Sequence, residues 1–276
     1  MFEKAYAKIN ISLDVIGQRP DGYHDLDMLM APVGLYDALS MELAPETTFR
    51  NDAHMPYNEK NTIRKAIELM RAEFGFTAQF RILLSKHIPF LAGLAGGSSD
   101  AAAAMRLVNR LVGLGLSEKR LAALGQKIGS DVPFFFQGRC ARVTGLGEQI
   151  APFDLPRGYD VLLIKPARGV STKWAYQNVD LQKCAHPDIA SVQHAFIAHE
   201  PLAGLLGNSL EQPAFIQLPQ IADIEKRCRQ AGFDQVLMSG SGSTVFVLTE
   251  PGTDMSGLMA LMDRDQQFVY RTQIIQ

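Results

Sequence analysis

The run PFLAGLAGGSSDAAAA, Pro89 to Ala104, crowds three glycines into five residues directly ahead of a stretch of strong helix formers. A chain written this way must turn at the glycines and then enter a helix. Ser98, Ser99 and Asp100 are all N-capping residue types, so the pattern predicts a helix that begins with them. Glycine allows positive φ and close main-chain approach, and a helix amino end carries roughly half a positive charge. The place therefore suits a phosphate. The same composition also fits a tight turn followed by a well-capped core helix, and the residues alone leave both readings open. The loop is not a Walker A motif: the GK[ST] ending is missing, and Gly93, Gly96 and Gly97 have the wrong intervals for GxGxxG.

The wider composition narrows the class of protein. With 47% hydrophobic and 20% charged residues, a disordered or fibrous chain is excluded, and 276 residues leave room for two modest lobes. The net charge of −2 offers no broad positive field for nucleic acid or anionic lipid, so an anion must be bound locally. The longest apolar stretch, Leu91 to Leu116, is interrupted by Ser98, Ser99, Asp100, Arg106 and Arg110, which argues against a membrane span. At the amino end, Glu3, Lys4 and Lys8 break up any secretory h-region, and a cytoplasmic protein is expected. Cys140, Cys184 and Cys228 are odd in number and form no CxxC, so reduced core cysteines are expected.

Helix and strand patterns alternate throughout with no linker, which predicts an α+β fold. From Ala5 to Ile16, Ile9, Ile11, Leu13 and Val15 alternate with Lys8, Asn10, Ser12 and Asp14, the signature of a half-buried strand. Its partner candidates are Asp37 to Leu43 and Phe80 to Leu84. Ile63, Ile67, Met70 and Phe74 recur at helical spacing between Asn61 and a closing Gly75. A helix is also expected from Ser117 to Ile128. In the second half, a strand at Val161 to Ile164, a helix at Ile221 to Gln230, strands at Val236 to Met238 and Thr244 to Leu248, and a helix at Leu258 to Met262 follow. The lobe boundary is expected near Arg157.

Several further groups invite a chemical reading. Lys8 is the lone charge on its strand before Asp14 and shares a face with Asn10; contact with an anion competes with simple solvation. Asp131, in IGSDVPFF, reads as a cap or turn aspartate unless other motifs recruit it. RPDGYHDLD is a turn that leads to Tyr23 and His24, whose rings suit stacking or hydrogen bonding to a ligand. MSGSGSTVFVL, Met238 to Leu248, places a glycine turn between two strands and reads most simply as a hairpin. The histidines show no HExxH spacing and no GxSxG elbow is present, so metal-hydrolase and serine-hydrolase chemistry are poor fits.

AYAKINISLDVIGQRPDGYHDL, PFLAGLAGGSSDAAAA, IGSDVPFFFQG and MSGSGSTVFV occur in the order and spacing of the GHMP small-molecule kinases, and the chain resembles that family from Ala5 to about Leu248. The resemblance implies a two-lobed GHMP kinase fold with the active site in the inter-lobe cleft. Residues 1–157 would form the amino-terminal lobe with the glycine-rich ATP loop, and 158–276 the carboxy-terminal α+β lobe. The AKIN and DGYH segments point to the branch that phosphorylates the 2-hydroxyl of 4-diphosphocytidyl-2-C-methyl-D-erythritol, using ATP and Mg2+, in non-mevalonate isoprenoid precursor biosynthesis. By the same resemblance, Gly93, Leu94, Ala95, Gly96, Gly97, Ser98 and Ser99 wrap the ATP phosphates, with Ser98 or Ser99 near the metal. Asn61, Lys86 and Pro89 lie where the family handles the rest of ATP. Asn10, Tyr23, His24 and Tyr176 would hold a small substrate bearing cytidine diphosphate, Tyr176 beneath the cytosine. Lys8 and Asp131 would be catalytic, the aspartate accepting or orienting the attacking hydroxyl.

Two departures stand out. Ala95 replaces a glycine in the family's usual GLGGGSSD, and Ser209 stands where NDLE is common, so no charged role carries over to it. A GHMP kinase for another small alcohol, and a catalytically silent nucleotide-binding paralogue, are the alternatives. Neither nucleic acid nor membrane is an expected partner, and monomer and homodimer are both open.

Overall fold

Two unusually long strands organise the computed structural model, which describes residues 1–263 and 267–275. They are β1 (Phe2–Gln18) and β2 (His24–Ala44), which pair with each other. The chain forms two compact units. The first contains Met1–Ala7, Leu35–Pro89 and Ala95–Gly138; the second contains Lys8–Gly34, Phe90–Leu94 and the chain from Arg139 on. The units interleave in sequence because β1 and β2 each pass through both.

In the first unit, β4 (Gln79–Ser85) runs antiparallel to the distal half of β2 and takes β3 (Thr48–Asn51) in parallel on its other side. The stretch Phe80 to Leu84 thus pairs with β2, where the sequence offered it as a partner of β1. Helix α1 (Thr62–Phe74) forms as its spacing dictates: Ile63, Ala66, Ile67 and Met70 are buried, Asn61 caps its start and Gly75 closes it at φ 70°. It packs on α2 (Gly96–Val112), which also meets α3 (Glu118–Gly125) and a 3-10 helix over Val132–Phe136.

The start of α2 corrects the sequence reading. Ser98, Ser99 and Asp100 are the third, fourth and fifth residues of the helix, and Ala95, at φ 54° and ψ 31°, occupies the capping position without a side-chain hydrogen bond. The helix can begin early because Ser98 and Ser99 donate their N–H groups back to Ala95 O.

In the second unit, β5 (Ala141–Gly145) pairs with the proximal half of β2 and β6 (Gln149–Pro152) with β5. A separate sheet runs β10-β7-β9-β8, from β7 (Asp160–Lys165), β8 (Val236–Met238), β9 (Val245–Thr249) and β10 (Phe268–Gln273), all antiparallel. Around it lie α4 (Thr172–Asn178), α5 (Ile189–Ala198), α6 (Glu211–Gln217), α7 (Gln220–Gln230) and α8 (Ser256–Asp263). Cys140, Cys184 and Cys228 are free and buried, as expected of reduced core cysteines.

The middle of β1 is buried on both faces, not half-buried. Lys8, Asn10 and Ser12 are all under 5% exposed, together with Ile9, Ile11 and Leu13. Polar side chains survive there because each is hydrogen-bonded: Lys8 Nζ donates to Asn10 Oδ1 at 2.5 Å, and Ser12 Oγ donates to Gly207 O at 2.7 Å. No helix among the described residues is long and apolar enough to cross a membrane.

Candidate active site

In the first unit the site begins at the amino end of α2. Gly96 must be glycine, since a Cβ there would meet Ile88 Cγ2 at 2.9 Å and Lys86 Nζ at 3.3 Å, whereas one at Gly97 would meet nothing closer than Thr62 at 3.6 Å. Ala95 holds a left-handed conformation that costs a non-glycine residue about 1 kcal/mol. Ala95→Gly is therefore expected to stabilise the protein by up to about 1 kcal/mol. A thermal midpoint that falls in this variant would show that the strain is absent.

Lys86 is placed beneath this turn, and its ammonium is not at the surface. Its Nζ donates to Asp37 Oδ2 at 2.5 Å and to Asp100 Oδ2 at 2.8 Å, with the three side chains 4%, 0% and 1% exposed. Asp37 Oδ1 also accepts from the backbone N–H groups of His87 and Ile88, at 2.6 and 2.8 Å. Burial draws the Lys86 pKa down, but Asp100 and then Asp37 more than reverse this and leave it above the ordinary lysine value. Burial pushes Asp100 up to about 7, with Lys86 opposing and Asp37 reinforcing the rise. Geometry gives the reason: two carboxylates share one ammonium, and Asp100 Oδ1 is buried without a hydrogen-bond partner among the described residues.

Asn61, also expected near ATP, spends its side chain on α1: Oδ1 accepts from Arg64 N at 3.2 Å and Nδ2 donates to Pro56 O at 3.1 Å. Asp131 immediately precedes the 3-10 helix, whose five residues are all buried, yet its side chain makes no capping hydrogen bond. The cap role that composition suggested for it is therefore not the one it plays.

In the second unit, Lys8, Asn10, Gly93 and Leu94 come together. Lys8 N donates to Leu94 O at 3.2 Å. Gly93, at φ 72°, presses against the hairpin turn between β8 and β9: a Cβ on it would lie 2.0 Å from Ser239 O. The hairpin expected at Met238–Leu248 forms, and it also supports the glycine turn, since Ser243 and Thr244 donate their N–H groups to Leu91 O and Ala92 O. At another part of this unit His24 and Tyr176 meet, their ring centroids 5.6 Å apart and tilted by 32°. Tyr23 beside them is 65% exposed. Burial lowers the His24 pKa, which favours the neutral imidazole over the cation.

Sequence reasoning missed Asp37, Asn208 and Ser239. Asp37 had a readable signal: it falls in the inward phase of β2 with Leu35, Leu39 and Met41, all buried, and a charge in that phase needs a partner. Asn208 and Ser239 sit in stretches already singled out, but their tasks were not readable there, because each acts on a segment far away in the chain.

Comparisons with known proteins bear on the fold and the family. The GHMP kinases N terminal domain profile fits residues 61–139, and the GHMP kinases C terminal profile fits residues 190–257. Proteins named 4-diphosphocytidyl-2-C-methyl-D-erythritol kinase from Bacillus velezensis and Geobacillus kaustophilus are 42% and 41% identical to this chain, covering 91% and 95% of it and 88% and 93% of their own length. A crystal structure of 4-(cytidine 5'-diphospho)-2C-methyl-D-erythritol kinase has a TM-score of 0.84 and 34% identity over the whole of both chains. A homoserine kinase from Cytophaga hutchinsonii, at 18% identity and a TM-score of 0.72, shares the fold alone. The two-lobed α+β architecture, the glycine turn before α2 and identity at this level over nine-tenths of the sequence lead to one conclusion: the chain belongs to the 4-diphosphocytidyl-2-C-methyl-D-erythritol kinase family of the GHMP kinases.

Proposed function

We propose that this protein transfers the γ-phosphoryl group of ATP to the 2-hydroxyl of 4-diphosphocytidyl-2-C-methyl-D-erythritol, a step of non-mevalonate isoprenoid precursor synthesis, in the cytoplasm. The observation that carries this reading is 42% identity to a kinase of that name over 91% of the chain. Residues 1–157 would form the lobe bearing the ATP loop, and 158–276 the second lobe.

In this reading the ATP phosphates lie along Gly93, Leu94, Ala95, Gly96, Gly97, Ser98 and Ser99, where main-chain N–H groups and the α2 dipole favour negative charge. Asn61, Lys86 and Pro89 border the rest of the nucleotide. Because the Lys86 ammonium is bound to two carboxylates, its contribution there is to shape the turn, not to pair with phosphate. Mg2+ neutralises phosphate charge when bound. The residues present fit it sparingly: no group of three or more His, Cys, Asp or Glu side chains converges among the described residues, and Ser99 is 2% exposed while Ser98 is partly exposed. Ser98 is therefore the better hydroxyl for the ion, with the phosphates themselves as the main ligands.

Tyr176 and His24 form the cytosine end of the substrate site, with Tyr23 and Asn10 completing it. The 2-oxygen forms a bond to the γ-phosphorus as the bond to the ADP oxygen breaks, and the hydroxyl proton passes to the Asp131 carboxylate. Lys8 supplies positive charge as negative charge spreads over the transferring group. A strong base is unnecessary, because proton transfer lags in a loose transition state.

The test is ADP release with ATP, Mg2+ and a panel of alcohols. Turnover with 4-diphosphocytidyl-2-C-methyl-D-erythritol, and none with homoserine, mevalonate or galactose, is expected. Turnover confined to one of the other alcohols would replace the substrate assignment.

A further inference from the structure

The turn Met238–Ser243 is given no chemical task by the reading above, yet it touches the residues at its centre. Gly240 lies so close that a Cβ on it would sit 3.1 Å from Asn10 Oδ1, 3.2 Å from Gly93 O and 3.4 Å from Lys8 Nζ. Ser239 Oγ accepts the Asn10 N–H at 3.2 Å and donates to Gly93 O at 3.0 Å. One buried amide holds this turn in place. Asn208, 1% exposed, donates from Nδ2 to Met238 O and to Gly240 O, each at 2.8 Å, while its Oδ1 accepts Leu210 N–H at 2.9 Å. Its main chain is in turn fixed to β1, where Leu13 N donates to Gly207 O at 2.9 Å and Ser209 N to Leu13 O at 3.0 Å.

These contacts close a circuit that leaves β1 at Leu13, passes through Asn208 to the turn, and returns to β1 at Asn10 and Lys8. A side-chain amide carries two N–H donors and no charge, so Asn208 alone satisfies both buried carbonyl oxygens. We propose that Asn208 is a positioning residue for phosphoryl transfer: by clamping Met238 O and Gly240 O it sets, through Ser239 and Gly240, the placement of Lys8, Asn10 and Gly93. This rests on the reading of Lys8 given under Proposed function. A buried carboxylate at 208 would face both carbonyls with negative charge and drive the turn away, while its protonated form would return one of the two donors.

The experiment compares full-length Asn208→Asp, Ser239→Ala and Lys8→Met with the parent, using ATP, Mg2+ and 4-diphosphocytidyl-2-C-methyl-D-erythritol well below the unfolding temperature. Asn208→Asp is expected to lower kcat about 10²-fold at pH 8, the loss that a misplacement of about 1 Å brings. Its kcat relative to the parent should then recover as the pH falls toward 6 and the buried carboxyl takes up a proton. A purely structural role moves the thermal midpoint but produces no such relative pH profile. Ser239→Ala, which adds no charge, is expected to lose about 10-fold in kcat, a little over the value of one hydrogen bond, with its fold intact. If Asn208→Asp does not fold, Ser239→Ala decides. Parental kcat in folded Asn208→Asp, or in Ser239→Ala when that variant decides, overturns the proposal while a loss in Lys8→Met leaves the reading of Lys8 standing. Parental kcat in Lys8→Met removes that reading and the proposal with it.

Discussion

Asp131→Asn is expected to lower kcat by about 10²-fold or more, within the 10²–10⁴ range of a positioned proton acceptor, while ATP binds as tightly as before. The substitution keeps the side chain's size and removes only its charge and basicity. The support behind residue 131 does not change either, because the following 3-10 helix, Val132–Phe136, is wholly buried and fixes the main chain. The neutral amide can still orient a hydroxyl, so the loss belongs near the lower end if the transition state is loose and nearer the upper end if the proton moves early. Steady-state kinetics with calorimetric titration of ATP separate chemistry from binding. Unchanged turnover would take Asp131 out of the reaction.

The second large effect is on stability. Asp37→Ala is expected to cost about 3–5 kcal/mol in lost hydrogen bonds: Lys86 Nζ loses one of its two carboxylate acceptors, although Asp100 still balances its charge. It also leaves the His87 and Ile88 N–H groups without the acceptor they now share. The exposed pair Arg81–Glu42 is only slightly longer, at 2.7 Å, but its side chains are 59% and 56% exposed. Removing Glu42 should therefore cost no more than about 1 kcal/mol. Urea unfolding of the two variants side by side measures the contrast, and similar small shifts for both would mean that the Lys86 cluster does not hold the first unit together.

How far the sequence disclosed all this depended on the range of the interactions. Helix α1 was readable in full, since its apolar spacing, the Asn61 cap and the Gly75 stop are local and agree with one another. The strands β8 and β9 and the turn between them were readable for the same reason. The start of α2 was misjudged because good capping residues sat one turn too late, and the tertiary fit of Gly96 against Ile88 and Lys86 set the boundary instead. The burial of both faces of β1 was invisible because the partners of Asn10 and Ser12 lie 229 and 195 residues away. For the site, the order of four motifs pointed to the family, but the side-chain tasks did not follow from it. Lys86, which the resemblance put beside the part of ATP beyond its phosphates, is bound to Asp37 and Asp100 at separations of 49 and 14 residues. Helices α4, α5 and α6 were not foreseen, and α4 and α6 are seven residues each, too short for periodicity to register.

The most direct measurement is the phosphorus spectrum of the reaction mixture after incubation with ATP, Mg2+ and 4-diphosphocytidyl-2-C-methyl-D-erythritol. The account predicts a new phosphomonoester signal on the 2-oxygen, growing in step with ADP while the diphosphate of the substrate stays intact. Inorganic phosphate appearing with ADP in place of that ester, or an ester on a different oxygen, would contradict it.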